Sequence, residues 1–383
     1  MIKQNRILLL CGNLSFAGAQ RQLFELAKNL DRRKYEVFVC SISSDVQIYD
    51  ELKSLDINLY VIGRKFRYLP FIIRDVAKYL RSNQIDVIYP FLFEANFVAR
   101  IAGFLAGTSV VLSSERSSNY ESSILEKTFE RITENLYEIV ITNSFAGKNF
   151  LLKCKKTKDY KIRVIANGID SKKYVLTKNV RAKIREELGI SDDTILIGMI
   201  ARIKPAKNFP MLFEVAKKTI KQYDNVCFVS VGDHSYGQEE YYKYIMKSYN
   251  SFSIPEEKFI FAGKRRDIPA LLSALDISLL TSSHEGFPNA VIESMASGLP
   301  VVSTSVGDVP RIIEENLDGY IVPVNDVNGM VKNVTTLIES PVKRREMGKL
   351  ARDKILKNYS IEKMVNNTDS IIQELLEKKI YHD

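Results

Sequence analysis

Ser283-His-Glu-Gly-Phe-Pro-Asn-Ala-Val-Ile-Glu-Ser-Met-Ala-Ser-Gly-Leu-Pro-Val-Val302 places two carboxylates, Glu285 and Glu293, on either side of a turn that opens a helix. Gly286 supplies backbone freedom, Pro288 fixes φ, and Asn289 suits an N-cap or a first helical turn. Ala290, Val291, Met295 and Ala296 recur at helical spacing, and Gly298-Leu-Pro stops the helix ahead of a Val-Val strand. Upstream, Ile277-Ser-Leu-Leu-Thr281 reads as a buried strand. The segment is therefore strand, turn, helix, strand. Its polar turn lies at the carboxyl end of the first strand, where open parallel sheets bind ligands.

Amides of the first helical turn, near Asn289 and Ala290, are suited to an anion, and the helix dipole favours one there. Glu293 stands about one turn further along, roughly 5–6 Å down the axis. Glu285 precedes the helix on the lip of the strand. A ligand with phosphate at the helix start can then offer one group to Glu293 and another to Glu285. A nucleotide sugar has that layout, with its diphosphate between ribose hydroxyls and hexose hydroxyls. The plainer alternative is a capping turn carrying two solvated glutamates; the wrapping Gly-Phe-Pro and Ala-Ser-Gly-Leu-Pro sequences argue against it.

The same residues resemble the Glu-x7-Glu signature of retaining glycosyltransferases of the GT-B fold, family 4 type. Glu-Gly-Phe-Pro-Asn, Glu-Ser-Met-Ala-Ser-Gly-Leu-Pro-Val-Val and the following Gly307 all fall in that family's order. The resemblance implies an α/β protein of two Rossmann-like, doubly wound parallel-sheet domains facing a cleft. It also implies a nucleotide-diphosphate sugar donor, with Glu293 on the ribose and Glu285 near the transferred sugar. Gly286, Phe287, Asn289 and Ala290 are the surrounding donor-binding positions on this reading.

A chain of 383 residues suits two domains of ordinary size. Its 45% hydrophobic and 26% charged residues are those of a soluble globular protein, and no run approaches the roughly 18 apolar residues of a membrane span. Lys3 and Arg6 before Ile7-Leu-Leu-Leu-Cys11 imitate a signal peptide, but the apolar core is short and Asn13 interrupts it. A first strand and its loop is the better reading. Cys11, Cys40, Cys154 and Cys227 are scattered and form no C-x-x-C, which fits buried thiols in a reducing cytosol. The net charge of +9 admits nucleic acid, anionic membrane or a phosphorylated substrate as partners. No zinc-ligand spacing, RNP-type motif or basic helix-turn-helix supports nucleic acid.

Strand-like runs at 6–11, 35–40, 57–62, 86–90, 109–113, 139–142 and 162–165 alternate with helical patterns at 19–30, 71–81, 95–105 and 125–136. Such alternation means a parallel, doubly wound sheet. The loop Ser15-Phe-Ala-Gly-Ala-Gln-Arg21 resembles the family's Gly-Gly-Ala-Glu-Arg loop, with Ala17 and Gln20 as departures. Gly18 there would let backbone approach the donor; a plain strand–helix turn is the alternative. Asn167-Gly-Ile-Asp170 resembles the family's interdomain connection, and the Lys-rich stretch 171–179 is the expected hinge. The expected domains are 1–172 for the acceptor and 173–358 for the donor. A terminal helix, 359–383, would pack back on the first domain.

The second half restarts at the strand 194–200, followed by Ala201-Arg-Ile-Lys-Pro-Ala-Lys-Asn208 and a helix over 209–222. Arg202 and Lys207 resemble the family's Arg-x4-Lys pair on the donor diphosphate. Departure of a nucleoside diphosphate builds negative charge that fixed cations stabilise. Phe259-Ile-Phe-Ala-Gly263 resembles the strand and glycine beside the base pocket. Gly307-Asp-Val-Pro-Arg311 departs from the usual Gly-Gly-x-Pro-Glu, so a role at that last position is not carried over.

Relatives often carry a histidine in the first domain near the transferred sugar. The histidines here are His234, His284 and His382. The matching stretch is Val111-Leu-Ser-Ser-Glu-Arg-Ser-Ser118, which makes Glu115 and Arg116 the acceptor-side candidates. His284 adjoins Glu285, where an imidazole is more often packed or solvated than catalytic. No Asp-x-Asp pair suits a metal-bridged diphosphate, so transfer without a metal or other cofactor is expected. Nothing places Glu285 and Glu293 as the closely spaced carboxylate pair of a retaining glycosidase. Gly63-Arg-Lys-Phe-Arg-Tyr-Leu-Pro-Phe-Ile-Ile-Arg74 mixes cations with aromatics: a solvated loop, or a surface that meets anionic lipid from the cytoplasmic side. The expectation is a cytoplasmic, peripheral transferase. It would move a hexose or N-acetylhexosamine from a UDP-sugar to a saccharide or lipid-linked acceptor of surface polysaccharide. A nucleotide-sugar epimerase and a non-catalytic sugar-nucleotide binder of the same architecture are the rivals. An NAD enzyme is disfavoured because no G-x-G-x-x-G follows the first strand.

Overall fold

The computed structural model describes residues 4–15, 18–55, 57–116, 124–175, 177–234 and 237–380. Phe16, Ala17, Ser117, Ser118 and His382 of the sequence reading lie outside these residues. The chain divides into two compact units, one of Met1–Gly168 with Ile361–Asp383 and the other of Ile169–Ser360.

Unit 1 is built on seven strands: β1 (Asn5–Cys11), β2 (Tyr35–Ser41), β3 (Asn58–Val61), β4 (Val87–Phe91), β5 (Val110–Glu115), β6 (Ile139–Thr142) and β7 (Ile162–Val164). They form one parallel sheet in the order β3-β2-β1-β4-β5-β6-β7. Between and after them run α1 (Gly18–Asn29), α2 (Tyr49–Lys53), α3 (Leu69–Ser82), α4 (Phe93–Ala106), α5 (Ile124–Ile132) and α6 (Phe145–Lys153). The apolar run of β1 explains the layering. Ile7 and Leu9 pack with Leu23 and Leu26 of α1, whereas Leu8 and Leu10 pack with Ile72 and Val76 of α3 and Val98 of α4. A strand covered on both faces is continuously hydrophobic, as a parallel sheet requires.

Unit 2 repeats the plan with β8 (Ile195–Ile200), β9 (Val226–Val231), β10 (Phe259–Phe261), β11 (Ile277–Leu280), β12 (Val301–Thr304) and β13 (Gly319–Val322). These are parallel in the order β10-β9-β8-β11-β12-β13. Its helices are α7 (Lys178–Glu187), α8 (Phe209–Ile220), α9 (Glu239–Ser251), α10 (Ile268–Ala274), α11 (Asn289–Ala296), α12 (Val309–Ile312), α13 (Val327–Glu339) and α14 (Pro341–Asn358). The last helix, α15 (Ile361–Ile380), belongs to unit 1, where Ile361, Met364, Val365, Ile372, Leu375 and Leu376 join the core around β1 and α1.

The chain passes between units at Gly168–Ile169 and again at Ser360–Ile361. Within unit 1, Gln22 holds Gly168 at both backbone groups, donating to its carbonyl at 3.0 Å and accepting from its amide at 2.9 Å. Within unit 2, the Ile169 amide donates to Tyr359 O at 2.8 Å. The stretch read as a hinge, 171–179, contains a 3-10 turn, Ser171–Tyr174, and the start of α7.

Candidate active site

In each unit the strand order reverses once, between β1 and β4 and between β8 and β11. Loops leaving adjacent strands in opposite senses open a crevice at the carboxyl edge, where α/β sheets bind ligands. In unit 2 the two loops are 201–208 after β8 and 281–288 after β11. The backbone knits them together. Ser283 N donates to Ala206 O at 2.8 Å, and Thr281 Oγ1 donates to Lys207 O at 2.9 Å. Thr304 Oγ1, at the end of β12, donates to Ser282 O at 2.6 Å.

Across this seam the Lys207 ammonium donates to Glu285 Oε1, and Ser282 Oγ donates to the same oxygen at 2.7 Å. Both members of the ion pair are largely buried, with side-chain exposures of 14% and 8%. A lysine has three donors, so contact with one carboxylate leaves capacity for a ligand oxygen. Two glycines set the shape. Gly307 has φ +53°, and a Cβ there would stand 2.4 Å from Gly286 O and 2.5 Å from Glu285 O. Gly232, at φ +138°, lets the loop after β9 close on β8, since a Cβ would lie 2.1 Å from Ala201 O. The Gly232 amide donates to Gly263 O at 2.9 Å.

The other expected site residues of unit 2 fall around this seam. Arg202 is exposed on the β8 loop. Gly286 and Phe287 are buried; Gly286 O accepts from Asp308 N at 3.1 Å, and the Phe287 ring lies 5.9 Å from that of Tyr359. Pro288 is the N-cap of α11, so Asn289 and Ala290 are its first two helical residues. Glu293 is half-buried on α11, four residues after Asn289 and about 6 Å along the axis at the usual rise. Gly263 has φ +63° and open space at its Cβ position. His284 is exposed, its Nδ1 3.1 Å from Ser283 Oγ.

In unit 1, Gly18 is the first residue of α1. Glu115 forms a buried pair with Lys155 at 2.7 Å. Arg116 donates to Asn167 Oδ1 and Tyr89 OH, both at 3.0 Å, and lies over the Phe91 ring at 4.4 Å. Both acceptor-side candidates are thus engaged inside their own unit. The β1–β4 crevice instead presents Glu94, an exposed carboxylate in the first turn of α4 whose Oε2 would stand 2.8 Å from a Cβ at Gly12. Sequence reasoning passed over Glu94; its signal was a lone acid three residues past the end of the strand Val87–Phe91. Lys204 was likewise passed over. Among the described residues, no group of three or more His, Cys, Asp or Glu side chains is placed to hold a metal ion.

Two family models match in tandem: Glycosyltransferase Family 4 over residues 16–173, and Glycosyl transferases group 1 over residues 180–354. The chain belongs to the GT-B glycosyltransferases of group 1, family 4 type. This glycosyltransferase is 24% identical over 364 residues to the UDP-Gal:alpha-D-GlcNAc-diphosphoundecaprenol alpha-1,3-galactosyltransferase of Escherichia coli, covering 92% of this chain and 87% of the relative. Among solved structures, Anabaena HepE in complex with UDP-glucose matches with a TM-score of 0.85 at 22% identity, over 96% of this chain and 99% of that one. A glycosyltransferase from Rickettsia africae also reaches 0.85, at 20% identity over 97% and 99% of the two chains. These likenesses establish the fold of this glycosyltransferase.

Proposed function

We propose that the protein transfers a hexose or N-acetylhexosamine, with retention, from a UDP-sugar to a saccharide or lipid-linked acceptor in surface-polysaccharide synthesis. The observation that carries this reading is the Lys207–Glu285 pair at the β8–β11 crevice, with Arg202 on the same loop and Glu293 one turn into α11. Lys207 and Arg202 take the diphosphate, Glu293 the ribose hydroxyls and Glu285 a hydroxyl of the transferred sugar. Gly286, Phe287, the first amides of α11 and Gly263 supply close contacts. The basic pair and the helix start compensate the phosphate charge, so no metal is required.

In the reaction, the bond between sugar C1 and the oxygen of the distal phosphate breaks, and its electron pair stays on that oxygen. The acceptor oxygen bonds to C1 on the face the phosphate leaves. Its proton passes to a donor phosphate oxygen, which needs no protein nucleophile. Fixed cations favour this step because the charge on the phosphate grows along it.

The named activity of the Escherichia coli relative supports a lipid-linked acceptor, and the UDP-glucose complex of the Anabaena protein supports a UDP-sugar. A patch of exposed aromatics and arginines on unit 1 supports such an acceptor. Tyr68 and Phe71 are 42% and 49% exposed at the start of α3, with Arg67 4.9 Å over Tyr68 and Arg74 5.4 Å over Phe71. Aromatics enter the lipid interface while guanidinium groups meet anionic headgroups. Among the described residues no helix is long and apolar enough to cross a membrane.

Calorimetry across UDP-, GDP- and ADP-sugars identifies the donor, and Glu293→Ala tests the site. The variant should keep its thermal transition and lose at least about tenfold in donor affinity, the scale of one lost charge-assisted contact. Unchanged affinity and turnover would remove Glu293 from the site. A new sugar isomer formed from donor alone would favour an epimerase.

A further inference from the structure

The β8 loop carries a third cation that neither the motif nor the pairing at the crevice uses. Ile203 is buried and bridges His234 in extended backbone. Residues alternate sides in such a segment, so Arg202 and Lys204 flank Ile203 on the face away from the core. Lys204 itself is extended, with φ −151° and ψ 157°, and its carbonyl accepts from Lys207 N at 2.9 Å, closing a turn that brings Lys207 back beside it. Glu285, the acid in contact with Lys207, also acts on Lys204 through its charge. One short loop therefore holds Lys204 and Lys207 beside a single carboxylate, with Arg202 near enough for its charge to act on Lys204.

Lys204 is half-buried, and among the described residues it forms no ion pair. Burial pushes its proton affinity down. The like charges of Lys207 and Arg202 push in the same direction, and Glu285 offsets only part of this. A half-buried ammonium held beside two other cations is costly unless an anion completes the cluster.

We propose that Lys204 is a third diphosphate-binding cation of the donor site, placed on the same face as Arg202 and beside the Lys207–Glu285 pair. It rests on the functional reading above. The ligand chemistry is a pyrophosphate group, whether within a nucleotide sugar or in the nucleoside diphosphate left after transfer.

The experiment is calorimetric titration of the whole chain with UDP and, separately, with inorganic pyrophosphate. The proteins are the wild type, Lys204→Met, Lys204→Arg, Lys207→Met and Lys217→Met. Lys217 is exposed on α8 and matches the loss of charge without entering the loop. Lys204→Met should weaken UDP and pyrophosphate about tenfold, as loss of one charge-assisted contact does. Lys204→Arg should recover most of that loss, and Lys217→Met should bind as wild type. Recovery in the arginine variant also excludes a folding defect at this position. Wild-type affinity in Lys204→Met alongside a loss in Lys207→Met would overturn the role of Lys204 and leave the functional reading standing. An equal loss in Lys217→Met would reduce the effect to net charge and overturn it as well. A wild-type chain that binds neither UDP nor pyrophosphate would overturn the functional reading, and this inference with it.

Discussion

Gly307 has φ +53°, and the carbonyls of Gly286 and Glu285 occupy the space a side chain would need there. Its missing methyl group thus fixes the height of the Glu285 turn, and with it the distance over which Lys207 reaches the carboxylate. Gly307→Ala should cost about 1–3 kcal/mol in urea unfolding, the range for a strained backbone position. It should also weaken UDP binding in calorimetry, because the β11 loop must lift. Destabilisation with intact UDP affinity would show that the turn is not part of the site. At this scale the sequence was only partly legible. Glu285 and Lys207 stood out singly, each by its motif. Their direct contact spans 78 residues and depends on the β8–β11 register, which no local pattern encodes. Lys204 and Glu94 were passed over for a different reason: a lone lysine in a loop, or a lone glutamate in the first turn of a helix, has the composition of any solvated surface.

Arg100 of α4 shows how elements are locked together behind the unit 1 sheet. Its guanidinium meets Glu130 of α5 through two bonds of 3.0 and 3.1 Å and also reaches Thr133 Oγ1 and, on β5, Ser113 Oγ, at 2.9 and 2.7 Å. Tyr137 OH donates to Glu130 Oε1 at 2.9 Å. Burial pushes the Glu130 carboxyl up, but the charge and hydrogen bonds of Arg100, with help from Lys155 and Tyr137, outweigh it and hold the group below the usual glutamate value. Its contribution to stability is therefore complete above the ordinary glutamate range and is lost as pH falls through the lowered native value. Arg100→Met strands a buried carboxylate and should cost about 3–5 kcal/mol at neutral pH. The native group would then titrate above its unfolded value, so the deficit should shrink between pH 7.5 and pH 5.0 in paired urea titrations. A deficit that stays constant would mean Glu130 does not carry the effect. Legibility of elements followed the same physics of burial. Strands such as Ile7–Leu10 are apolar on both faces and announce themselves. By contrast, α7 (Lys-Asn-Val-Arg-Ala-Lys-Ile-Arg-Glu-Glu) buries Ile184 and Arg185, with Arg185 donating to Ala274 O at 2.9 Å. A helix anchored by a buried arginine shows no hydrophobic stripe; the sequence reading assigned it no element, and its hinge, 171–179, overlaps only the first two residues of α7.

On the scale of the molecule, each unit has its own sheet and its own core, and the residues assigned to the diphosphate, ribose and sugar all fall within Ile169–Ser360. The alternation of strands and helices made this two-sheet plan legible from sequence, because a parallel sheet must be apolar on both faces and joined by helices. Chain order alone does not give one feature, which only the family resemblance implied: α15 follows unit 2 in sequence but fills the core of unit 1. Its six buried apolar side chains contribute on the order of 10 kcal/mol by area, an upper figure given a compact unfolded chain. The two halves should therefore behave differently when separated. A fragment of residues 169–360 should unfold cooperatively on its own and bind UDP within about tenfold of the full chain, a difference of about 1.4 kcal/mol. It should transfer no sugar, since the acceptor side is assigned to unit 1. A fragment of residues 1–168 should be aggregated or molten, because the α15 groove on β1 and α1 is bare. Joining 361–383 to it through a short Gly/Ser linker should restore a cooperative thermal transition. A stable, monomeric 1–168 fragment would show that α15 is dispensable to that core. Failure of 169–360 to bind UDP while the full chain does would move part of the donor site into unit 1.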